Sequence, residues 1–92
     1  MRRFRLYHLD YCPYCRRVRR EAQRLGIDLE LVEIDEQSGA REKLLEARGR
    51  ATVPVLEVLS PAGEPELLLG ESQDIIELLR EIAESGKAEH AA

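Results

Sequence analysis

The first 34 residues already restrict the architecture. Arg3 to Leu9 (RFRLYHL) is short, aromatic and apolar enough for a strand, and Pro13 stands where the first turn of a helix begins. From Pro13 to Leu25 the apolar positions Cys15, Val18, Ala22 and Leu25 recur at helical spacing with charge between them, and Gly26 suits a left-handed cap. Leu29 to Ile34 (LELVEI) reads as a second strand. Strand, helix and strand in this length make a βαβ unit, whose strands lie parallel and whose crossover is right-handed.

The rest of the chain completes a small sandwich. Ser38-Gly39 leads into a helix with Ala40, Leu44 and Ala47 on one side, and Gly49 ends it. Thr52 to Leu59 (TVPVLEVL) is the most strand-like run. It is followed by the turn Ser60-Pro61-Ala62-Gly63-Glu64-Pro65 and a short strand at Glu66 to Leu69, which together predict a hairpin. Ile75, Leu78, Leu79 and Ile82 then mark a helix from Ser72 to Ser85, with Gly86 as its stop. The expected order is β-α-β-α-β-β-α, an α/β fold with a mixed four-stranded sheet and helices on both faces. At 92 residues one core is expected, with residues 1–86 as the domain and Lys87 to Ala92 as a disordered C-terminal tail that has nothing to bury.

With 43% hydrophobic and 35% charged residues, the composition is that of a soluble globular protein. No apolar run approaches the roughly 20 residues of a membrane span. The start, MRRFRLYHLD, has no apolar stretch for a signal peptide, so a cytoplasmic protein without membrane contact is expected. Charge divides unevenly. Residues 1–24 hold eight arginines against Asp10 and Glu21, a net +6, and the remainder carries −10. Because the whole is acidic and no basic and aromatic interleaving follows, nucleic acid is not an expected partner. Most of the arginines read as the solvated face of a helix.

Three uses compete for the only two cysteines, in the stretch DYCPYCRR: a metal pair, a structural disulfide and a redox pair. A staple three residues long closes too small a loop to brace a fold, and staples are rare in a reducing cytoplasm. Structural zinc needs two further ligands, and only His8, in a strand, and His90, in the tail, remain, so no metal is expected. A redox pair has position in its favour. Chemistry collects at the carboxyl ends of parallel strands, and Cys12 falls there, as the cap of the helix that Pro13 begins. Unpaired N–H groups and about half a positive charge at that helix start favour a nucleophilic thiolate. Cys15, one turn inside and facing the sheet with Val18, is the less exposed partner. One sulfur can attack and the other resolve.

Cys12-Pro13-Tyr14-Cys15 after a first strand, Thr52-Val53-Pro54 before the third, and Gly70-Glu71-Ser72-Gln73-Asp74 opening the last helix resemble a glutaredoxin of the thioredoxin-like fold, over about residues 3 to 85. Leu9 stands where many glutaredoxins have lysine. Glu71-Ser72 resembles instead the glutathione-binding N-terminal domain of glutathione S-transferases. The resemblance implies a glutathione-dependent thiol-disulfide oxidoreductase with Cys12 and Cys15 catalytic, and Tyr14, Thr52, Val53, Pro54, Glu71 and Ser72 binding glutathione. It also implies glutathione as co-substrate with no tightly bound cofactor, glutathionylated or disulfide-containing proteins as partners, and a monomer. A carrier of a glutathione-ligated [2Fe-2S] cluster and a glutathione-binding module without turnover are the alternatives.

A cis Pro54 would turn the Val53 peptide edge outward for an extended peptide to pair with, whereas a trans proline would be an ordinary strand-edge residue. Ser72 could offer its hydroxyl and nearby N–H groups to a carboxylate, or simply cap its helix. Arg41, Arg48 and Arg50 all approach Thr52 as candidates for a second carboxylate. Tyr14 packs on the ligand or covers the helix start.

Overall fold

The computed structural model describes the backbone of residues 2–91 and the side chains of residues 2–85. Its elements are β1 (Arg3–His8), α1 (Pro13–Leu25), β2 (Glu30–Glu33), α2 (Ala40–Arg48), β3 (Val55–Leu59), β4 (Pro65–Leu69) and α3 (Ser72–Ala91). The expected order is therefore observed, in a sheet with strand order β2-β1-β3-β4. β1 pairs parallel with β2, while β3 runs antiparallel to both β1 and β4. This pairing brings the starts of α1 and α3, and the residues just before β3, to one end of the sheet.

The alternation of side chains across the sheet makes two cores. On one face Leu6 and Leu56, partners in register, meet Val18 and Ala22 of α1 and Ile75, Ile76 and Leu79 of α3. On the other, Tyr7 and Val55 meet Ile34, Ala40 and Leu44. Complete burial of a side chain such as Leu6 or Leu79 contributes about 1.5–3 kcal/mol each. α1 stops because Gly26 takes a left-handed conformation (φ 74°, ψ 24°), in which its N–H reaches back to the last turn. The next N–H, of Ile27, donates to the Ala22 carbonyl at 2.9 Å.

Several boundaries differ from the sequence reading for identifiable reasons. β3 begins at Val55 and not at Thr52, since Thr52 to Pro54 form a loop with a cis Val53–Pro54 bond and Pro54 has no N–H for a ladder. Ala47 is exposed, so only Ala40 and Leu44 of the expected α2 stripe are buried. α3 passes through Gly86 to Ala91. One interior glycine costs only about 1 kcal/mol against alanine, and the flanking Glu, Lys and Ala residues are good helix formers. The expectation of a disordered tail at Lys87 to Ala92 falls on residues whose side chains, with the whole of Ala92, lie outside the described ones.

A buried ionic group lies on the α2 face. Glu57, 3% exposed in the central strand β3, accepts from the Tyr7 hydroxyl at 3.0 Å, from Lys43 Nζ at 3.2 Å and from Arg5 Nη1 at 3.3 Å. Three donors on one carboxylate offset its desolvation. Desolvation lowers the Lys43 pKa, but its contacts with Tyr7 and Glu57 prevail and hold it above the ordinary lysine value.

Candidate active site

The β1–α1 turn is built to present a sulfur. The Cys12 N–H donates to the Leu9 carbonyl at 3.1 Å and the Arg16 N–H to the Cys12 carbonyl at 3.0 Å, so Cys12 is the hinge between turn and helix. Its backbone is extended (φ −79°, ψ 118°), Pro13 follows at the first helical position, and Cys12 Sγ accepts the Cys15 N–H at 3.4 Å. The cap side chain is thus a partly buried thiol where most helices place serine or aspartate.

Cys15 is completely buried, beside Val18 on the core side of α1, and no disulfide joins the two cysteines. Burial pushes the Cys15 thiol up to about 12, and the neighbouring Cys12 adds to the rise; a backbone hydrogen bond at Leu9 and the Arg19 charge act the other way. The sequence asymmetry between an accessible and a sheltered thiol is present in the geometry.

Behind the turn, Arg19 Nη1 donates to His8 Nδ1 at 2.6 Å, and Nη2 reaches the Asp10 carbonyl at 3.5 Å. Burial first, and then the Arg19 charge, lower the His8 pKa, against opposing pulls from Asp10, Glu33 and Glu36. A neutral His8 that accepts at Nδ1 fits that geometry. Sequence placed His8 in the strand. It gave no signal for Arg19, whose pairing depends on the angle at which α1 crosses β1.

A cavity of about 370 Å³ opens at the same end of the sheet. Tyr14 from the first turn of α1 lines it, 60% exposed, together with Thr52, Val53 and Pro54 from the loop before β3 and Glu71 and Ser72 from the start of α3. Arg48 and Arg50 complete the lining. Cys12 is not among the lining residues; it caps the helix whose second residue, Tyr14, is. Of the three arginine candidates, Arg41 does not line the cavity and pairs with Asp35. Arg50 stands 3.9 Å from Glu71. Arg48 makes no ion pair among the described residues, and its guanidinium lies against the backbone of Gly70, where an added Cβ would come within 2.8 Å of Arg48 Cζ. Nothing in the sequence around Gly70 reveals this close approach.

Glu71, not Ser72, holds the cap position of α3. It adopts φ 64°, and its carbonyl accepts the Ile75 N–H at 3.1 Å, so Ser72 becomes the first helical residue. A non-glycine residue in the left-handed region costs about 1 kcal/mol or more. The larger hollow of about 500 Å³ below α2, lined by residues including Arg5, Tyr7 and Lys43, has no thiol on its wall, and Glu57 already engages its cations. Among the described residues no three His, Cys, Asp or Glu side chains gather as metal ligands would, and no helix is long and apolar enough to cross a membrane.

Comparison with known proteins agrees with this arrangement. The family model of the glutathione S-transferase N-terminal domain matches residues 6–87. This chain belongs to that family. Glutaredoxin 3 of Escherichia coli K12 is 33% identical over 49 residues, which cover 53% of this chain and 59% of that protein. The chain therefore spans little more than half the length of that curated relative. Among solved structures, the buckwheat glutaredoxin-glutathione complex is 25% identical, with a TM-score of 0.64 over 89% of this chain and 72% of that one. Maleylacetoacetate isomerase from Anaeromyxobacter dehalogenans 2CP-1, with bound dicarboxyethyl glutathione, is 30% identical at a TM-score of 0.63, over 89% of this chain and 37% of that one. The chain thus has a thioredoxin-like fold and is similar both to glutaredoxins and to the N-terminal domain of glutathione S-transferases.

Proposed function

We propose that the chain is a glutathione-dependent thiol-disulfide oxidoreductase that uses Cys12 to reduce protein-glutathione mixed disulfides, and Cys15 to extend the reaction to protein disulfides. The observation that carries this reading is the partly exposed Cys12 at the cap of α1, on the helix start that lends Tyr14 to a cavity edged by Val53 and Ser72. Glutathione in that cavity would pair its peptide with the Val53 backbone. Its γ-glutamyl carboxylate would lie on the Ser72 hydroxyl and the first N–H groups of α3, with Glu71 beside its amino group. Arg48, without a carboxylate among the described residues, is the better placed of the two cavity arginines for the second carboxylate. The glutathione named in the buckwheat complex and in the isomerase structure supports this choice of ligand.

The electrons balance in two exchanges. The Cys12 thiolate attacks the glutathione sulfur of the mixed disulfide, a Cys12–glutathione bond forms, and the protein sulfur leaves as a thiolate that takes a proton from water. A second glutathione thiolate attacks the glutathione sulfur of the adduct, and glutathione disulfide leaves as Cys12 returns. With a protein disulfide, the Cys12 thiolate attacks one substrate sulfur, the substrate S–S bond breaks, and the other sulfur leaves as a thiolate that takes up a proton. Cys15 then loses its proton to water and attacks Cys12 Sγ; the bound substrate sulfur leaves as a thiolate and a Cys12–Cys15 disulfide remains, which two glutathiones reduce with release of glutathione disulfide. The high pKa of Cys15 keeps it protonated until that step. We place the protein in a reducing cytoplasm, as a monomer.

The test is glutathione turnover of a glutathionylated protein, coupled to reduction of the glutathione disulfide produced. Wild type should turn over and Cys12→Ser should not; equal rates in the two would reject the reading.

A further inference from the structure

The outer face of α1 carries a charge pattern that helix physics disfavours. The first turn contains no acidic residue, and Arg16, Arg17, Arg20 and Arg24 all lie on the exposed side. Cations at a helix start oppose its dipole, and like charges at i,i+4, as in Arg16/Arg20 and Arg20/Arg24, repel. Arg24 is compensated by Glu21, which also binds Arg80. Arg16, Arg17 and Arg20 have no carboxylate partner among the described residues; Arg17 reaches only the amide oxygen of Gln73, at 3.4 Å. Local rules broken without compensation inside the molecule point to compensation from outside it. Arg16 follows Cys12 by one helical turn, its N–H donating to the Cys12 carbonyl, and Tyr11 and Tyr14 on the same turn and helix start are exposed. Because the chain beyond residue 24 carries −10 and the whole is net −4, a long polyanion is disfavoured more than a short acidic segment.

We propose that the outer face of α1 docks an acidic segment flanking the disulfide of a protein substrate, so that the chain selects acidic over basic protein disulfides. This rests on the exchange reading above. The experiment compares three substrates at low salt: a disulfide-bearing protein with an acidic flanking segment, the same protein with that segment made basic, and a small neutral thiol joined to glutathione. Wild type should prefer the acidic protein by at least about tenfold in kcat/KM, and added salt should remove the preference. Arg17→Glu/Arg20→Glu, with Arg16 left in place beside the thiol, should reverse it and change turnover of the small substrate by less than about twofold. Arg17→Gln/Arg20→Gln, milder for the helix, should abolish the preference without reversing it, and circular dichroism checks that both variants are folded.

Turnover of the small substrate with no acid-over-base preference overturns the docking face and leaves the exchange reading intact. No turnover of any of the three overturns the exchange reading and the docking with it. A DNA oligonucleotide that inhibits both protein substrates equally, and ceases to do so in Arg17→Gln/Arg20→Gln, would assign the face to nucleic acid and also overturn the proposal.

Discussion

At the start of α1 the backbone of Cys12 is extended and its own sulfur takes the Cys15 N–H, whereas at the start of α3 Glu71 is left-handed and no side chain among the described residues accepts a first-turn N–H. Both helices begin at the same end of the sheet, and both starts border one cavity, through Tyr14 in one case and Glu71 and Ser72 in the other. The first start is closed on a thiol, so the dipole and the donated N–H act on a sulfur that belongs to the chain. The second is open, so the same backbone groups are available to an anion that does not. The local cost of the left-handed residue is consistent with that use, because a relaxed cap by Ser72 would occupy the donors the cavity presents.

The comparison breaks most visibly at the sulfurs. Cys12→Ser should abolish exchange on every substrate, while Cys15→Ser should keep the glutathione route and lose only the two-thiol route on protein disulfides; the opposite pattern would reverse the roles. A next effect is the difference in thiol reactivity. In folded, reduced protein at pH 8, iodoacetamide should modify Cys12 and leave Cys15 unmodified, because burial keeps the latter protonated until about 12. Equal labelling by peptide mapping would contradict its shelter. The raised Cys15 pKa stabilises the fold below the ordinary value near 9, and that contribution is lost as pH rises from 9 to about 12.

At the open start, Ser72→Ala should weaken glutathione binding by about 1–3 kcal/mol, since a hydrogen bond to a charged group is lost. Thermal stability should change by less than about 0.5 kcal/mol, because Glu71 and not Ser72 is the cap. Unchanged affinity with a lowered Tm would return Ser72 to a structural role. The smallest effect is expected behind the closed start. His8, with its folded pKa lowered, contributes no loss above its ordinary value near 6.5, and destabilises the fold as pH falls below that value toward the folded one. His8→Gln should therefore flatten the stability profile below pH 6.5, and an unchanged slope would remove His8 from the acid response.

Much of this was legible because it is local. The stripes Cys15/Val18/Ala22 and Ile75/Leu79 predict their helices and buried faces, and the motif CPYC with Thr52 to Pro54 and Glu71-Ser72 names the residues that the fold then gathers at one end. What sequence did not reveal is set by long-range geometry. Glu57 lies in TVPVLEVL between Leu56 and Val58, where a strand buried on both faces reads as wholly apolar, and its donors Tyr7 and Arg5 are 50 and 52 residues away. The choice among Arg41, Arg48 and Arg50 depends on how α2 is rotated: its first turn gives Arg41 to Asp35, and its last brings Arg48 to Gly70. The cap of α3 moved by one residue because a left-handed glutamate is not a pattern that composition or periodicity anticipates.

The central step proposed is attack by Cys12 on a glutathione-containing disulfide held in the cavity. The direct measurement is the rate of glutathionylation of Cys15→Ser, followed by intact mass, against the concentration of glutathione disulfide. A rate that saturates, with one glutathionyl group added and saturation shifted to higher concentration when Ser72→Ala is also present, is the predicted result. A rate that rises linearly with concentration, as for a free cysteine in solution, and is indifferent to Ser72 would contradict it.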